Sequence, residues 1–405
     1  MYSDLDIATA TQATQPAIRR ELKSGWPLPP SVQTAIVHDW LPVYAGAERV
    51  LEQMIHVLPN SRLFSLIDFL PEDQRAFLQG KTVTTSLIQR LPFARSKYRM
   101  YLPFVPFATE QFDLRGADVV VSSSYVAAKG VLTTADQLHI SYVHSPVRYA
   151  WDLYFQYLKE GNLERGMKGL LAKAILHYVR LFDAISANRV DHFVANSRTV
   201  ARRVWKTYRR RAEVVYPPVD TTAFSLHPKK DDFYLTASRL VPYKRIDLIV
   251  EAFSQMPDKQ LVVIGDGPEY DRIAEKAGKN VTMLGFQPFA TLKDYMQRAR
   301  AFVFAAEEDF GIIPVEAQAC GTPVVAYGRG GATETVIPGE TGFFFYEQTT
   351  DGIRAALDTL DANYSRLDPE RIRENALRFS ADHFRTAFSD VIERAYTQFM
   401  TTGIE

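Results

Sequence analysis

The segment AFVFAAEEDFGIIPVEAQACGTPVVAY, residues 301–327, decides how this chain folds. Its first six residues, 301–306, are apolar and of strand length, the pattern of a strand buried on both faces. Glu307, Glu308 and Asp309 follow, then Phe310-Gly311. Residues 312–319 read as a helix, with Pro314 placed early in it, where a missing N–H costs nothing. Cys320-Gly321-Thr322-Pro323 stops that helix, and 324–327 is another strand. Strand, polar loop, helix, strand is a βαβ unit, whose loop lies at the carboxyl edge of a parallel sheet, where such folds bind ligands. Two carboxylates frame the loop: Glu308 before the helix and Glu316 about one turn inside it. Between them the amides of Phe310, Gly311 and Ile312 are donors at a helix N-terminus, suited to an anion or to sugar hydroxyls. Taken alone, Glu308 also reads as a complement to the helix dipole and Glu316 as a solvated helix residue.

Bulk properties narrow the classes. At 405 residues the chain is long enough for two or three domains with large cores. It is 46% hydrophobic and 23% charged, and its 47 basic residues balance 47 acidic ones, so there is no basic footprint for nucleic acid. Cys320 is the single cysteine, which excludes an intrachain disulfide and reads as a small packed residue. No apolar run reaches the ~18 residues of a spanning helix, and the N-terminal stretch has no apolar signal core. The expected location is cytoplasmic, with the inner face of the plasma membrane open as a surface to lie against.

Outward from the opening segment, the alternation of strand and helix continues in both directions. Residues 1–32 are polar, close on Trp26-Pro27-Leu28-Pro29-Pro30, and read as a partly mobile extension with a possible short helix over 17–24. Strands are expected at 34–38, 63–67, 118–122, 139–143 and 190–196, with a helix over 48–58. Gly46 lies in the loop after the first strand, where a glycine lets backbone approach a bound group. No G-x-G-x-x-G is present, which removes the main support for a nicotinamide or flavin site. His144 follows the 139–143 strand directly, at a carboxyl edge, where an imidazole, charged or neutral, can bond a hydroxyl. Val215-Tyr216-Pro217-Pro218 breaks the pattern, and 217–230 reads as a linker. The alternation then restarts with strands at 233–237, 260–264 and 281–284 and a helix over 246–255. Arg239 and Lys244 share the loop after the first of these strands, and Gly265-Asp266-Gly267-Pro268 makes a tight turn after the second. The expected organisation is an N-terminal Rossmann-like domain over 33–216, a second over 231–380, and a terminal helix, 381–405, returning to the first.

Two stretches of the first half carry apolar residues beside cations. Residues 90–107 interleave Arg90, Arg95, Lys97 and Arg99 with aromatics. Residues 168–182 repeat Leu170, Leu171, Ala174, Ile175, Tyr178, Val179 and Phe182 at helical spacing, flanked by Lys168, Lys173 and Arg180. Both read either as core-packing faces or as an interfacial surface, apolar side in the lipid boundary and cations toward anionic head groups.

The E-x7-E pair Glu308/Glu316 with Phe-Gly between, the SRLVPYKRID loop with Arg239 and Lys244, and the GDGP turn occur together and in one order. In this they resemble the retaining glycosyltransferases of family 4. The resemblance is strong over the C-terminal half and weaker but continuous over 34–220; Ala45-Gly46 stands where members often carry a glycine pair. It implies an α/β GT-B fold, two Rossmann-like doubly wound domains facing an interdomain cleft, and a nucleoside diphosphate sugar as donor. It implies that Glu316 holds the ribose, and that Glu308 with the amides of Phe310, Gly311 and Ile312 grips the transferred sugar. Arg239 and Lys244 would hold the diphosphate, Gly46, Gly265 and Gly267 would line the nucleotide site, and His144 would sit beside the hexose. Transfer would retain anomeric configuration, with no metal and no cofactor. The segments HDWLPVYAGAERVLEQM, YVHSPVRYAWD and AAEEDFGIIPVEAQACGTPVVA also look like bacterial mannosyltransferases of O-antigen and exopolysaccharide assembly. They imply GDP-mannose and a polyprenyl-diphosphate-linked saccharide acceptor. A UDP-hexose donor, a sugar-nucleotide 2-epimerase and a non-catalytic sugar-nucleotide-binding subunit are the competing readings.

Overall fold

The structure, a computed structural model, describes residues 27–401. The helix expected over 17–24 lies outside the described residues. The chain divides into two compact units. Unit 1 takes the described residues up to Asn196, Val200–Val215 and those from Phe384 on; unit 2 takes Tyr216–His383 with the short piece Ser197–Thr199.

Unit 1 is built on seven strands: β1 (Thr34–His38), β2 (Arg62–Ser65), β3 (Val83–Thr85), β4 (Val119–Ser124), β5 (Leu138–Val143), β6 (His192–Ala195) and β7 (Ala212–Val214). They lie in the order β3-β2-β1-β4-β5-β6-β7, every pair parallel. Helices α1 (Gly46–Val57), α2 (Gly166–Ser186) and, in unit 2, α3 (Ile246–Ser254) and α4 (Ile312–Ala319) fill crossovers between strands, and α5 (Ala381–Thr401) ends the described chain. Successive strand residues point to opposite faces, and both faces are covered. Ile36, Val119, Val121 and Ile140 meet Leu51 and Met54 of α1 and Phe384, Phe388 and Ile392 of α5. Ala35, Val37 and Val120 meet Ile88, Val105 and Ala108 on the other side. Burial of each large α5 side chain contributes roughly 1.5–3 kcal/mol, so the last helix is one layer of unit 1.

Unit 2 has six strands: β8 (Tyr234–Ala237), β9 (Leu261–Ile264), β10 (Val281–Met283), β11 (Ala301–Phe304), β12 (Val324–Tyr327) and β13 (Gly342–Phe345). Their order is β10-β9-β8-β11-β12-β13, again all parallel. The alternation seen in AFVF is realised literally: Ala301 and Val303 enter one core, Phe302 and Phe304 the other. Each sheet therefore reverses its direction of growth once, between β1 and β4 in unit 1 and between β8 and β11 in unit 2. These switch points open crevices at the strand carboxyl ends.

Two expectations need correction. Leu28, within the supposed extension, is 4% exposed and belongs to the unit 1 core. The supposed linker 217–230 is packed into unit 2. Val219 N–H donates to Phe379 O at 2.8 Å, Phe224 is buried, and Lys230 Nζ donates to Gln297 O, Cys320 O and Thr322 Oγ1. The polar run misled because its few apolar side chains, not its average, decide where it goes. The short edge strands β3 (VTT) and β7 (AEV), neither fully buried, escaped the sequence reading for lack of an apolar run.

Candidate functional site

At the unit 2 switch point, two loops from neighbouring strands meet. The loop after β8 carries Arg239 and Lys244 and is held from behind by the turn after β9. A Cβ on Gly265 would lie 1.8 Å from Ser238 O, and one on Gly267 would lie 2.4 Å from Leu240 O. Leu240 N–H donates to Asp266 O at 2.9 Å, and Glu269 N–H to Leu240 O at 3.2 Å. Gly265 and Gly267, expected to line a nucleotide site, thus allow two backbones to touch; what they position is the Arg239 loop. Pro242–Lys244 forms a short 3-10 turn. Arg245 then takes a left-handed conformation at φ 56° to start α3.

The loop after β11 carries Glu308, and Lys244 Nζ donates directly to Glu308 Oε1. Both side chains are mostly buried, 17% and 19% exposed. Gln348 braces this junction: its amide nitrogen donates to Ala305 O at 2.8 Å, and Arg245 Nη1 reaches its oxygen at 3.4 Å. On the far side, Gly331 N–H donates to Glu308 O at 2.8 Å. A Cβ on Gly330 would meet Glu308 O, and one on Gly331 would meet Phe310 Cα at 2.2 Å. The Gly330-Gly331 pair, which the sequence reading did not single out, is therefore the floor under the acidic loop. Gly311, at φ 85°, turns the chain into α4. The Phe310 ring is buried against Tyr216 and Phe379. Among the described residues nothing accepts from the Phe310 and Gly311 amides. Glu316 is 8% exposed, so it is not the solvated helix residue of the alternative reading. Arg239 is exposed, and no carboxylate pairs with its side chain among the described residues.

Unit 1 holds the other two expected residues. Gly46 is the first residue of α1. The end of that helix is capped from one side only: Glu48 Oε2 accepts from Ala45 N–H at 3.0 Å, and Ala45 has no side-chain oxygen to return. His144 follows β5 and is half-buried, set edge-on to Tyr125 and Tyr142, with Nε2 2.8 Å from Ser123 Oγ. Burial, and then the nearby His38, bring its pKa down to about 3. The expectation of an imidazole acting in either charge state narrows to the neutral ring. His38 and Ser123, adjacent in register across β1 and β4, hydrogen-bond at 3.0 Å. Asp39 accepts from the four consecutive amides of Tyr125, Val126, Ala127 and Ala128 at 2.5–2.8 Å, fixing the loop beyond β4. The HD pair at 38–39 and the SSS run at 122–124 were the available signals for these residues. Neither says which strands adjoin.

The two apolar-basic stretches share one surface of unit 1. Phe93 is 75% exposed, Met100, Phe104 and Phe107 are also exposed, and the segment Tyr98–Phe104 contacts α2. On α2 the buried face is Leu176, Val179, Asp183 and Ser186, while Leu170, Leu171, Tyr178 and Ile185 face outward. Lys173 and Arg180 are tied to the carbonyls of Glu164 and Ala150. No helix among the described residues is long and apolar enough to cross a membrane.

Comparison with known proteins places this architecture. Two doubly wound parallel-sheet units are the GT-B arrangement of nucleotide-sugar transferases. The chain aligns with Anabaena Alr3699/HepE in complex with UDP and glucose at TM-score 0.64 and 18% identity, over 89% of this chain and 100% of that one. It aligns with sucrose-phosphate synthase from Thermosynechococcus elongatus at TM-score 0.67 and 17% identity, over 90% and 99%. The profile "Glycosyltransferase Family 4" matches residues 44–223 and "Glycosyl transferases group 1" matches 220–379. The chain belongs to the family 4 glycosyltransferases. Among curated relatives, a GDP-mannose-dependent monoacylated alpha-(1-6)-phosphatidylinositol monomannoside mannosyltransferase of Corynebacterium glutamicum is 38% identical over 117 residues, 25% of this chain and 30% of that protein. Across such relatives the chain spans 30% to 57% of their length.

Proposed function

We propose that the protein is a retaining hexosyltransferase that takes a sugar from a nucleoside diphosphate and passes it to a lipid-linked saccharide. The observation that carries this is the Lys244–Glu308 contact beside the unpaired Phe310 and Gly311 amides. A half-buried cation, a carboxylate and two free N–H donors at one switch point suit a ligand that is anionic at one end and rich in hydroxyls at the other. In this reading Lys244 and the exposed Arg239 hold the diphosphate, where negative charge grows as the anomeric bond breaks. Arg239 supplies fork-like contacts and Lys244 a point charge. Glu308 and the amides take sugar hydroxyls, and Glu316 takes the ribose. The acceptor attacks from the face the diphosphate leaves, and a phosphate oxygen takes the acceptor's proton, which preserves configuration without a carboxylate nucleophile. We place no metal in this scheme.

GDP-mannose is the preferred donor, supported by the resemblance of residues 38–54, 142–152 and 305–326 to mannosyltransferases and by the Corynebacterium relative's printed donor. A UDP-hexose is the second reading, favoured by the UDP and glucose bound to the Anabaena neighbour. The exposed apolar-basic surface of unit 1 supports work at the inner face of the plasma membrane, where a polyprenyl-diphosphate acceptor in O-antigen or exopolysaccharide assembly would lie. The deciding experiment is calorimetric titration with GDP-mannose, UDP-glucose and UDP-N-acetylglucosamine, with slow hydrolysis to free sugar followed alongside. Selective GDP-mannose binding with released mannose supports the mannosyl reading; selective binding of a UDP-sugar replaces it. Binding of none of the three points to another donor or to a silent subunit.

A further inference from the structure

A chain of buried polar groups runs from α1 to His144 within unit 1. Glu48 Oε1 lies 3.6 Å from His38 Nε2, and their side chains are 5% and 0% exposed. His38 Nδ1 is 3.0 Å from Ser123 Oγ, and Ser123 Oγ is 2.8 Å from His144 Nε2. His38 Nε2 has no hydrogen-bond partner at ordinary distance. Nδ1 of His144 has none among the described residues.

With a single proton on each imidazole, the protons along this chain run in one direction only. A carboxylate has nothing but acceptors. A bare nitrogen lone pair on His38 Nε2 would face Glu48 Oε1 across a dry gap, acceptor against acceptor, whereas an N–H there is drawn toward it. A single proton on the His38 ring therefore sits on Nε2, and Nδ1 accepts. Ser123 has one hydroxyl proton, which goes to His38 Nδ1, and its oxygen is left to accept from His144. His144 then carries its proton on Nε2, and its Nδ1 is a lone pair. This is the usual way one ring nitrogen's hydrogen bond dictates the state of the other.

We infer that Glu48, His38 and Ser123 are positioning residues that set the tautomer of His144, so that His144 offers an acceptor, not a donor, to whatever hydroxyl meets its free nitrogen. The neutral ring at ordinary pH agrees with this. The neighbouring pair shows that the fold builds the same device in the opposite sense. His139 Nδ1 donates to Arg189 O at 2.9 Å, so its Nε2 accepts from Ser122 Oγ at 2.9 Å. The inference rests on the proposed function only where it names the hydroxyl as a sugar's; the proton order stands on unit 1 geometry alone.

Glu48→Gln inverts the chain. The amide oxygen must keep Ala45 N–H, which turns the NH2 toward His38 Nε2 as a donor. His38 then protonates on Nδ1, Ser123 donates to His144 Nε2, and His144 moves its proton to Nδ1. Long-range 15N–1H spectra of the unliganded full chain, labelled at histidine and assigned with His144→Gln, read each tautomer directly. The expected result is His144 in the Nε2–H form in the wild type and Nδ1–H in Glu48→Gln. In a Ser123→Ala background, Glu48→Gln should leave His144 unmoved. Wild-type His144 in the Nδ1–H form overturns the inference. So does a Glu48→Gln spectrum identical to wild type, or a shift that survives Ser123→Ala. The spectra use no substrate, so they decide the proton order whether or not donor turnover is found.

Discussion

Lys129 is a fully buried lysine whose removal tests how unit 1 presents its apolar surface. Its Nζ is 2.5 Å from Asp183 Oδ1, with side-chain exposures of 2% and 1%. Asp183 is the polar residue on the buried face of α2 and also accepts from Trp151 Nε1 at 2.7 Å and Tyr208 OH at 2.9 Å. In Lys129→Met a charge stays buried without its counter-ion, which costs about 3–5 kcal/mol. The two remaining neutral donors put this case near the lower end, at about 3 kcal/mol. Lys129→Met/Asp183→Asn removes both charges and should recover most of that loss, a coupling of at least ~2 kcal/mol. Urea unfolding followed by tryptophan fluorescence reads the transition, with Trp151, a partner of Asp183, among the four tryptophans that report it. If Lys129→Met loses less than ~1 kcal/mol, or the double variant is no better than the sum of the singles, the anchoring argument for α2 fails.

Four further outcomes follow from the same structure. Lys244→Ala should lower donor turnover by about 30- to 1000-fold, the ~2–4 kcal/mol typical of one lost clamp on developing charge; wild-type kcat would remove Lys244 from the site. Gly265→Ala should destabilise unit 2 by at least ~3 kcal/mol, because its Cβ would lie 1.8 Å from Ser238 O; thermal unfolding checks this, and an unchanged Tm refutes the interlocked-loop account. Burial brings the pKa of His139 down to about 4 from 6.5. The folded state thus binds the proton less well than the unfolded chain, and stability is full above pH 6.5 and falls as pH drops toward 4. The loss is about 3 kcal/mol in all, and His139→Gln should flatten that part of a stability–pH curve; an unchanged slope refutes the assignment. Arg95, Lys97 and Arg99 changed together to Glu should weaken co-sedimentation with anionic liposomes by at least ~100-fold, at about 1 kcal/mol per cation; unchanged binding sinks the membrane reading for that stretch.

Local pattern made much of the molecule legible in advance. The α/β alternation, the two-sided burial of 301–304, the α4 helix from Ile312 to Ala319 and the strand Val324–Tyr327 all follow from residues close together in sequence. A strand covered on both faces must be apolar at every position, and a helix entry needs its turn residues at fixed offsets. These constraints act within a few residues, so a linear reading detects them. The loop residues Arg239, Lys244, Glu308 and Glu316 were visible for the same reason: each sits at a recognisable strand end or helix start.

Local pattern thus set the elements and the chemistry carried at their ends. Which ends adjoin depended on how the sheets closed. Lys244 reaches Glu308 across 64 residues because β8 and β11 are neighbours at the switch point. His38 reaches Ser123 across 85 residues because β1 and β4 pair in that register. Parallel neighbours are joined by long crossovers, so no turn residue records their pairing. The contacts that set a charge pair or a proton's position appear only when the sheet has closed, and two small polar residues such as Ser123 and His38 carry no sign of it alone.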